Sequence, residues 1–287
     1  MTLKNCVIGC LLFVLFPTIG NGQVDTLQPL ASFERKDQLL AIDRLQQLYF
    51  INDQQAVTKT DASGQVLFEY NNFRLGDLAY LDVTDPFGAL AFYKDFGTII
   101  LLDRTLNPLT ELNLGELGYF SIDLVATSRD NQIWLYDQQD FKLKKVNQQG
   151  QLLSESQDLS LTFPKGINGR SLKAIGNQVF LQDDAYGLLV FNQFGQFIRQ
   201  IPLQGLAVPD TLKSSAGWQR IQPIVLMEVL EPYLIMKIDQ RVMIYEPNLA
   251  RAELLFKAKK SGTNLLLVRN WLVEQEQGFV KIYQLGE

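Results

Sequence analysis

The chain has 287 residues, 47% hydrophobic and 20% charged, with a formal charge of −5, ordinary values for a globular protein that exclude a disordered, collagen-like or multi-span membrane chain. Lys and Arg are interspersed with Asp and Glu rather than gathered on one stretch, which argues against a nucleic-acid partner. Histidine is absent, so Ser-His-Asp and Cys-His catalysis, His-ligated zinc and His proton shuttles are excluded together.

Residues 1–22 read as an export signal. Lys4 gives a positive start, Cys6 to Ile19 is a nearly unbroken apolar run, and Gly20-Asn21-Gly22 sets small residues before a cleavage point at Gln23. The run of fourteen residues falls short of the ~20 that span a bilayer as a helix. An uncleaved anchor is the competing reading. Val7-Ile8-Gly9-Cys10 also resembles a lipoprotein lipobox, but only five residues separate Lys4 from Cys10. Cleavage removes both cysteines and leaves one domain, 23–287, held by its core without disulfides. The expected location is therefore exported: periplasmic, outer-membrane-associated or extracellular. It is membrane-proximal, with no transmembrane segment in the mature chain.

From about Leu40 the apolar residues alternate in short runs broken by polar turns, with no sustained helical period. The runs repeat. Hairpins are expected at VTKTDASGQVLFEY (57–70), IILLDRTLNPLTELNL (99–114), LKKVNQQGQLLSESQDL (143–159), LLVFNQFGQFIRQIPL (188–203) and VMIYEPNLARAELLF (242–256), and a sixth begins at VKIYQLGE (280–287). Their turn-opening residues, Asp61, Asp103, Asn147, Asn192, Glu246 and Gln284, are spaced by 42, 44, 45, 54 and 38. In step with these, one hairpin upstream, a second series closes on acidic turns: LYFINDQQ (48–55), LAFYKDFG (90–97), IWLYDQQD (133–140), VFLQDDAYG (179–187), LIMKIDQ (234–240) and WLVEQEQG (271–278). A weaker strand precedes most of these, as in LAYLDVT (78–84) and IDLVATS (122–128). Four strands per repeat, stackable only on their neighbours, predict an all-β, six-bladed β-propeller. The sixth unit lacks its outer strand, and Leu27 to Phe33 is placed to supply it and remove the open edge. A β-sandwich or barrel is the alternative fold.

The pattern in KVNQQGQLL and VFNQFGQFI resembles that of the NHL and TolB-type six-bladed propellers, and LDVTDPFGALAFYKDFGTIILLDRTLN (81–107) resembles a family of exported bacterial propellers. The resemblance implies architecture. Some six-bladed propellers are calcium-dependent lactonases and sugar-acid hydrolases that hold the metal with oxygen ligands, which need no histidine.

Function on a propeller concentrates where the inter-blade connections and the second-to-third-strand turns share a face. Here those turns carry Asp53, Asp95, Asp137 with Asp140, Asp183 with Asp184, Asp239 and Glu276. Such a rim could bind a cation, an amine or a basic peptide, or could simply be Asp closing its own turns. Two connections, LTFPKGINGRS (161–171) and QGLAVPDTLKSSAGWQR (204–220), exceed what the repeat needs. They bring Phe163, Lys165, Arg170, Lys213, Trp218 and Arg220, with Trp and Arg the residue types that most often anchor interfaces. Trp134 and Trp271 sit inside apolar strands and are expected in the core. No Walker loop, nucleophile elbow or HExxH helix is present. The expected function is a non-enzymatic scaffold of the bacterial cell envelope for a protein or peptide partner, without a cofactor. A calcium-dependent hydrolase of the lactonase type is the alternative.

Overall fold

In the computed structural model the described residues are 28–203, 224–230, 233–238, 240–248, 251–257 and 263–285. They form six four-stranded antiparallel sheets, and no α-helix occurs among them. Blade 1 comprises Gln38–Ile42, Leu48–Ile51, Val57–Thr60 and Val66–Tyr70. Blade 2 comprises Tyr80–Asp82, Gly88–Tyr93, Thr98–Asp103 and Pro108–Asn113. Blade 3 runs through Ile122–Thr127, Ile133–Asp137, Lys142–Val146 and Leu152–Glu155, and blade 4 through Gly169–Ile175, Gln178–Asp183, Gly187–Asn192 and Phe197–Ile201. Blade 5 holds Ile224–Leu230, Tyr233–Ile238, Arg241–Glu246 and Arg251–Lys257, and blade 6 holds Asn264–Val268, Trp271–Glu276 and Phe279–Gln284.

The first strand of each blade lies beside the first strand of the next, and that of the sixth lies beside that of the first, so the blades close a ring. Ala31–Glu34 adds the outer strand of blade 6, pairing Ala31 with Ile282 and Glu34 with Phe279. The predicted six-bladed propeller and its N-terminal closure are both present.

The core is six separate seams rather than one centre. Because successive side chains on a strand point to opposite faces, each blade divides its apolar residues between two neighbours. Trp134 and Tyr136 go to the blade 3–4 seam, and Ile133 and Leu135 to the blade 2–3 seam. Likewise Tyr49 packs toward blade 2, while Leu48 and Phe50 pack toward blade 6. A blade is therefore buried on both sides only by its neighbours, which is why the repeat must close. Trp134 is buried as expected; Trp271 is only partly so, resting against the blade 6–1 seam.

The outer hairpins share one turn chemistry. The side-chain oxygen of Asp61 accepts from the amides of Ser63 and Gln65 at 2.9 and 3.0 Å, and that of Asn147 from Gln149 and Gln151, each at 2.9 Å. Asp103 and Asn192 repeat this pattern. The fourth residue of each turn takes a positive φ, 78° at Gly150 and 63° at Leu106. That geometry is the physical content of the D/N-x-x-G repeat.

Candidate functional site

Two kinds of connection emerge on one face of the ring: those joining successive blades and those joining the second and third strands. Among the described residues their carboxylates do not gather at one point. The Asp137 carboxylate is buried; it accepts from the Gln139 amide at 3.0 Å and from Lys144 Nζ at 2.8 Å, and Lys144 also pairs with Asp140. Burial works against the Lys144 charge, but the two carboxylates prevail and hold its pKa above the usual lysine value. Asp183, also buried, accepts from the amides of Ala185 and Tyr186 at 2.7 Å each and from that of Asn168 at 2.6 Å. Asp184 is exposed and pairs with Arg170 across the blade mouth. Asp95 is exposed on the short turn Lys94–Phe96. Among the described residues no three carboxylates come together as a metal site.

The long connection before blade 4 corrects one expectation. Phe163 is only 3% exposed, because the turn at Leu159–Leu161 directs its amide to the Leu159 carbonyl at 2.8 Å. Its ring packs edge-on to Tyr186 and Phe197 at 4.9 and 5.3 Å between centroids. It fills the blade 3–4 seam and offers no surface contact. Lys165 is exposed, its amide donating to the Tyr186 hydroxyl at 3.1 Å. Trp218 and Arg220, with Lys213, Asp239 and the export segment, lie outside the described residues.

The same face exposes large apolar side chains, four of them aromatic. Phe73 is 78% exposed, Phe96 55%, Phe120 74%, Phe141 39% and Leu161 82%. They stand on successive connections from blade 1 to blade 4 that are tied to each other. The Phe96 ring lies against Gly76, where an added Cβ would meet it at 3.3 Å. Leu114 N–H donates to Gly97 C=O, Gln138 N–H to Ser121 C=O and Leu159 N–H to Phe141 C=O, at 2.8, 2.9 and 2.8 Å. The result is an arc of separate apolar tips on hydrogen-bonded loops. Phe141 moreover has φ 52°, a left-handed conformation that is unfavourable for a bulky residue. The matching turn position is glycine in blades 2 and 4, Gly97 at 54° and Gly187 at 84°. The available signal was phenylalanine inside otherwise polar turns, as in NNFRLGD, KDFG and QQDFK.

Toward the axis, the innermost strands carry Tyr80, Asp82, Lys173 and Glu228. Lys173 Nζ donates to the Met227 carbonyl at 3.3 Å. Burial lowers its pKa, and the charges of Asp82 and Glu228 oppose that lowering without cancelling it. On the opposite face, a pocket of about 240 Å³ opens at the blade 3–4 seam, where Lys145 bonds Asp130 at 2.8 Å above the Trp134 ring.

No family model matches the chain, and no curated protein matches it in sequence. Among solved structures it is similar to a catalytically inactive virginiamycin B lyase from Staphylococcus aureus with quinupristin. The TM-score is 0.56 and the identity 9%, over 91% of this chain and 99% of that one. A streptogramin B lyase gives TM-score 0.52 and 14% identity over 89% and 87% of the two chains. BBS1N in complex with ARL6DN gives 0.52 and 13% over 87% and 78%. At such identities the likeness establishes the propeller fold alone. No helix among the described residues is long and apolar enough to cross a membrane.

Proposed function

We propose that this chain is an exported, non-enzymatic binding scaffold of the bacterial cell envelope, and that it engages a protein partner through the face carrying Phe73, Phe96, Phe120, Phe141 and Leu161. The exposed arc is the observation that carries the reading. Several large apolar side chains exposed on neighbouring loops of one face are more telling of an interaction site than a lone exposed one, and aromatic side chains are enriched at interface centres. The propeller BBS1N, solved in complex with ARL6DN, provides a precedent for a partner on this fold. The lyase of like fold is inactivated by replacing a histidine with alanine; this chain has no histidine, so that chemistry has no counterpart residue here.

The test is site-specific photo-crosslinking from position 120 in cells. A discrete protein adduct is expected, and it should disappear in a Phe73→Ser/Phe96→Ser variant that melts like the parent. Loss of two such anchors should weaken binding by ~2 kcal/mol or more. A calcium-dependent rise in melting temperature together with lactonase turnover would overturn the scaffold reading. Sequencing the N-terminus of the native protein tests export, with Gln23 as the expected first residue.

A further inference from the structure

We infer that the segment docking on the aromatic arc is apolar with lysine or arginine set among its apolar side chains. This rests on the scaffold reading above and names the chemistry of the partner.

The charges around the arc decide it. Three bases around the arc are already matched: Arg74 with Glu111 at 3.4 Å, Lys94 with Asp123 at 2.7 Å, and Lys144, on the strand Lys142–Val146, with both Asp137 and Asp140. Asp77, Asp95 and Glu116 are exposed on the connections that carry Phe73, Phe96 and Phe120, and none of them has a cationic partner among the described residues. Lys165, further along toward blade 4, is the sole exposed base of the 156–168 connection. The apolar arc therefore sits in an acidic surround.

Three occupants would bury its phenylalanines, and charge separates them. A second copy docked face to face sets acid against acid. An anionic lipid surface does the same, since such membranes attract basic rather than acidic segments. A basic, apolar segment gains hydrophobic burial from the rings and complementary charge from the rim, which steers encounter and sets specificity.

The experiment uses the full chain and two fluorescent amphipathic peptides of identical apolar pattern, one with Lys and one with Glu at the polar positions, together with phosphatidylglycerol vesicles. The Lys peptide should bind at least about tenfold tighter than the Glu peptide. Raising salt from about 50 to about 500 mM should erode most of that preference, because exposed charges are screened. Phe73→Ser/Phe120→Ser should weaken the Lys peptide about tenfold at either salt, with the melting curve unchanged. Asp77→Asn/Asp95→Asn/Glu116→Gln should weaken it at low salt only. Equal or better binding of the Glu peptide, binding to the vesicles in preference to the peptide, undiminished binding by the phenylalanine variant, or no binding of the Lys peptide each overturns the inference. If the cellular cross-link from position 120 persists in any of those cases, the scaffold reading stands and only the partner chemistry falls.

Discussion

Phe141 and Lys59 illustrate opposite relations between a side chain and stability. Phe141 holds a left-handed backbone at the end of a turn, and left-handed geometry costs a non-glycine residue about 1–2 kcal/mol. Phe141→Gly should therefore leave stability unchanged or raise it by about 1 kcal/mol, less the extra chain entropy of glycine, while reducing binding at the arc. Chemical denaturation and the Lys-peptide titration read the two effects separately. Lys59 is buried at the blade 1–2 seam. Its Nζ donates to the Arg104 carbonyl at 3.0 Å and lies 3.8 Å from Asp43, whose carboxylate also accepts from the Tyr49 hydroxyl at 3.0 Å. Burial lowers the Lys59 pKa, partly offset by Asp43. Lys59→Met removes the cation beside Asp43 and the donor to the Arg104 carbonyl, and should cost about 3 kcal/mol. Arg170→Ala, which removes an exposed pair with Asp184, should cost under about 1 kcal/mol. At this scale the sequence was least legible. Phe163 and Phe120 are both phenylalanines in inter-blade connections, yet one turns inward because a local 3-10 turn aims it at Tyr186 and Phe197, and the other stands out. Nothing in residue type separates them. The acids were legible as turn residues but not as ligands, because Asp137 and Asp183 use their oxygens on their own turns and neighbours.

At the level of the hairpin, the chain contains its own controls. Four outer turns use one hydrogen-bonding scheme, opened by Asp61, Asp103, Asn147 or Asn192. The Thr105 hydroxyl, first among several donors, holds the Asp103 carboxyl down from 3.8 to about 2, and the Ser63 hydroxyl chiefly does the same in direction for Asp61. A depressed carboxyl pKa stabilises the folded state above the unfolded value. That contribution is lost as pH falls through the folded value, here between about 4 and about 2. Melting temperature should therefore drop on acidification through that window. Asp103→Asn should flatten part of the drop, since asparagine supplies the same acceptor in the turns of blades 3 and 4 and does not titrate. A steeper acid limb in Asp103→Asn would contradict this. These turns are also why the fold was legible: their polar openers recur with the strands between them, so both the blade count and the missing sixth outer strand follow from spacing. The connections between blades carry no such repeat, so spacing does not place their residues.

In the whole molecule, six seams share the burial, so no blade is an independent unit and unfolding should be a single cooperative transition. The seam made last in sequence terms joins Ala31–Glu34 to Phe279–Gln284, with Ser32 opposite Lys281. Ser32→Cys/Lys281→Cys should oxidise readily and raise stability, by at most about 5 kcal/mol on the loop-entropy account of a cross-link this long. Oxidised and reduced melting curves compare the two states. Failure of the pair to oxidise would mean the ends do not meet.

That closing strand also sets a timetable. On the ribosome, residues 31–34 emerge well before 279–284, so this strand stays without its partner until all five intervening blades have been made. Its pairing carries the longest loop-closure penalty in the molecule and belongs to the slow, non-local end of the folding spectrum. A substitution in that strand should accordingly leave the folding rate almost untouched and speed unfolding instead, making these few residues a latch on the lifetime of the ring rather than a seed for its assembly.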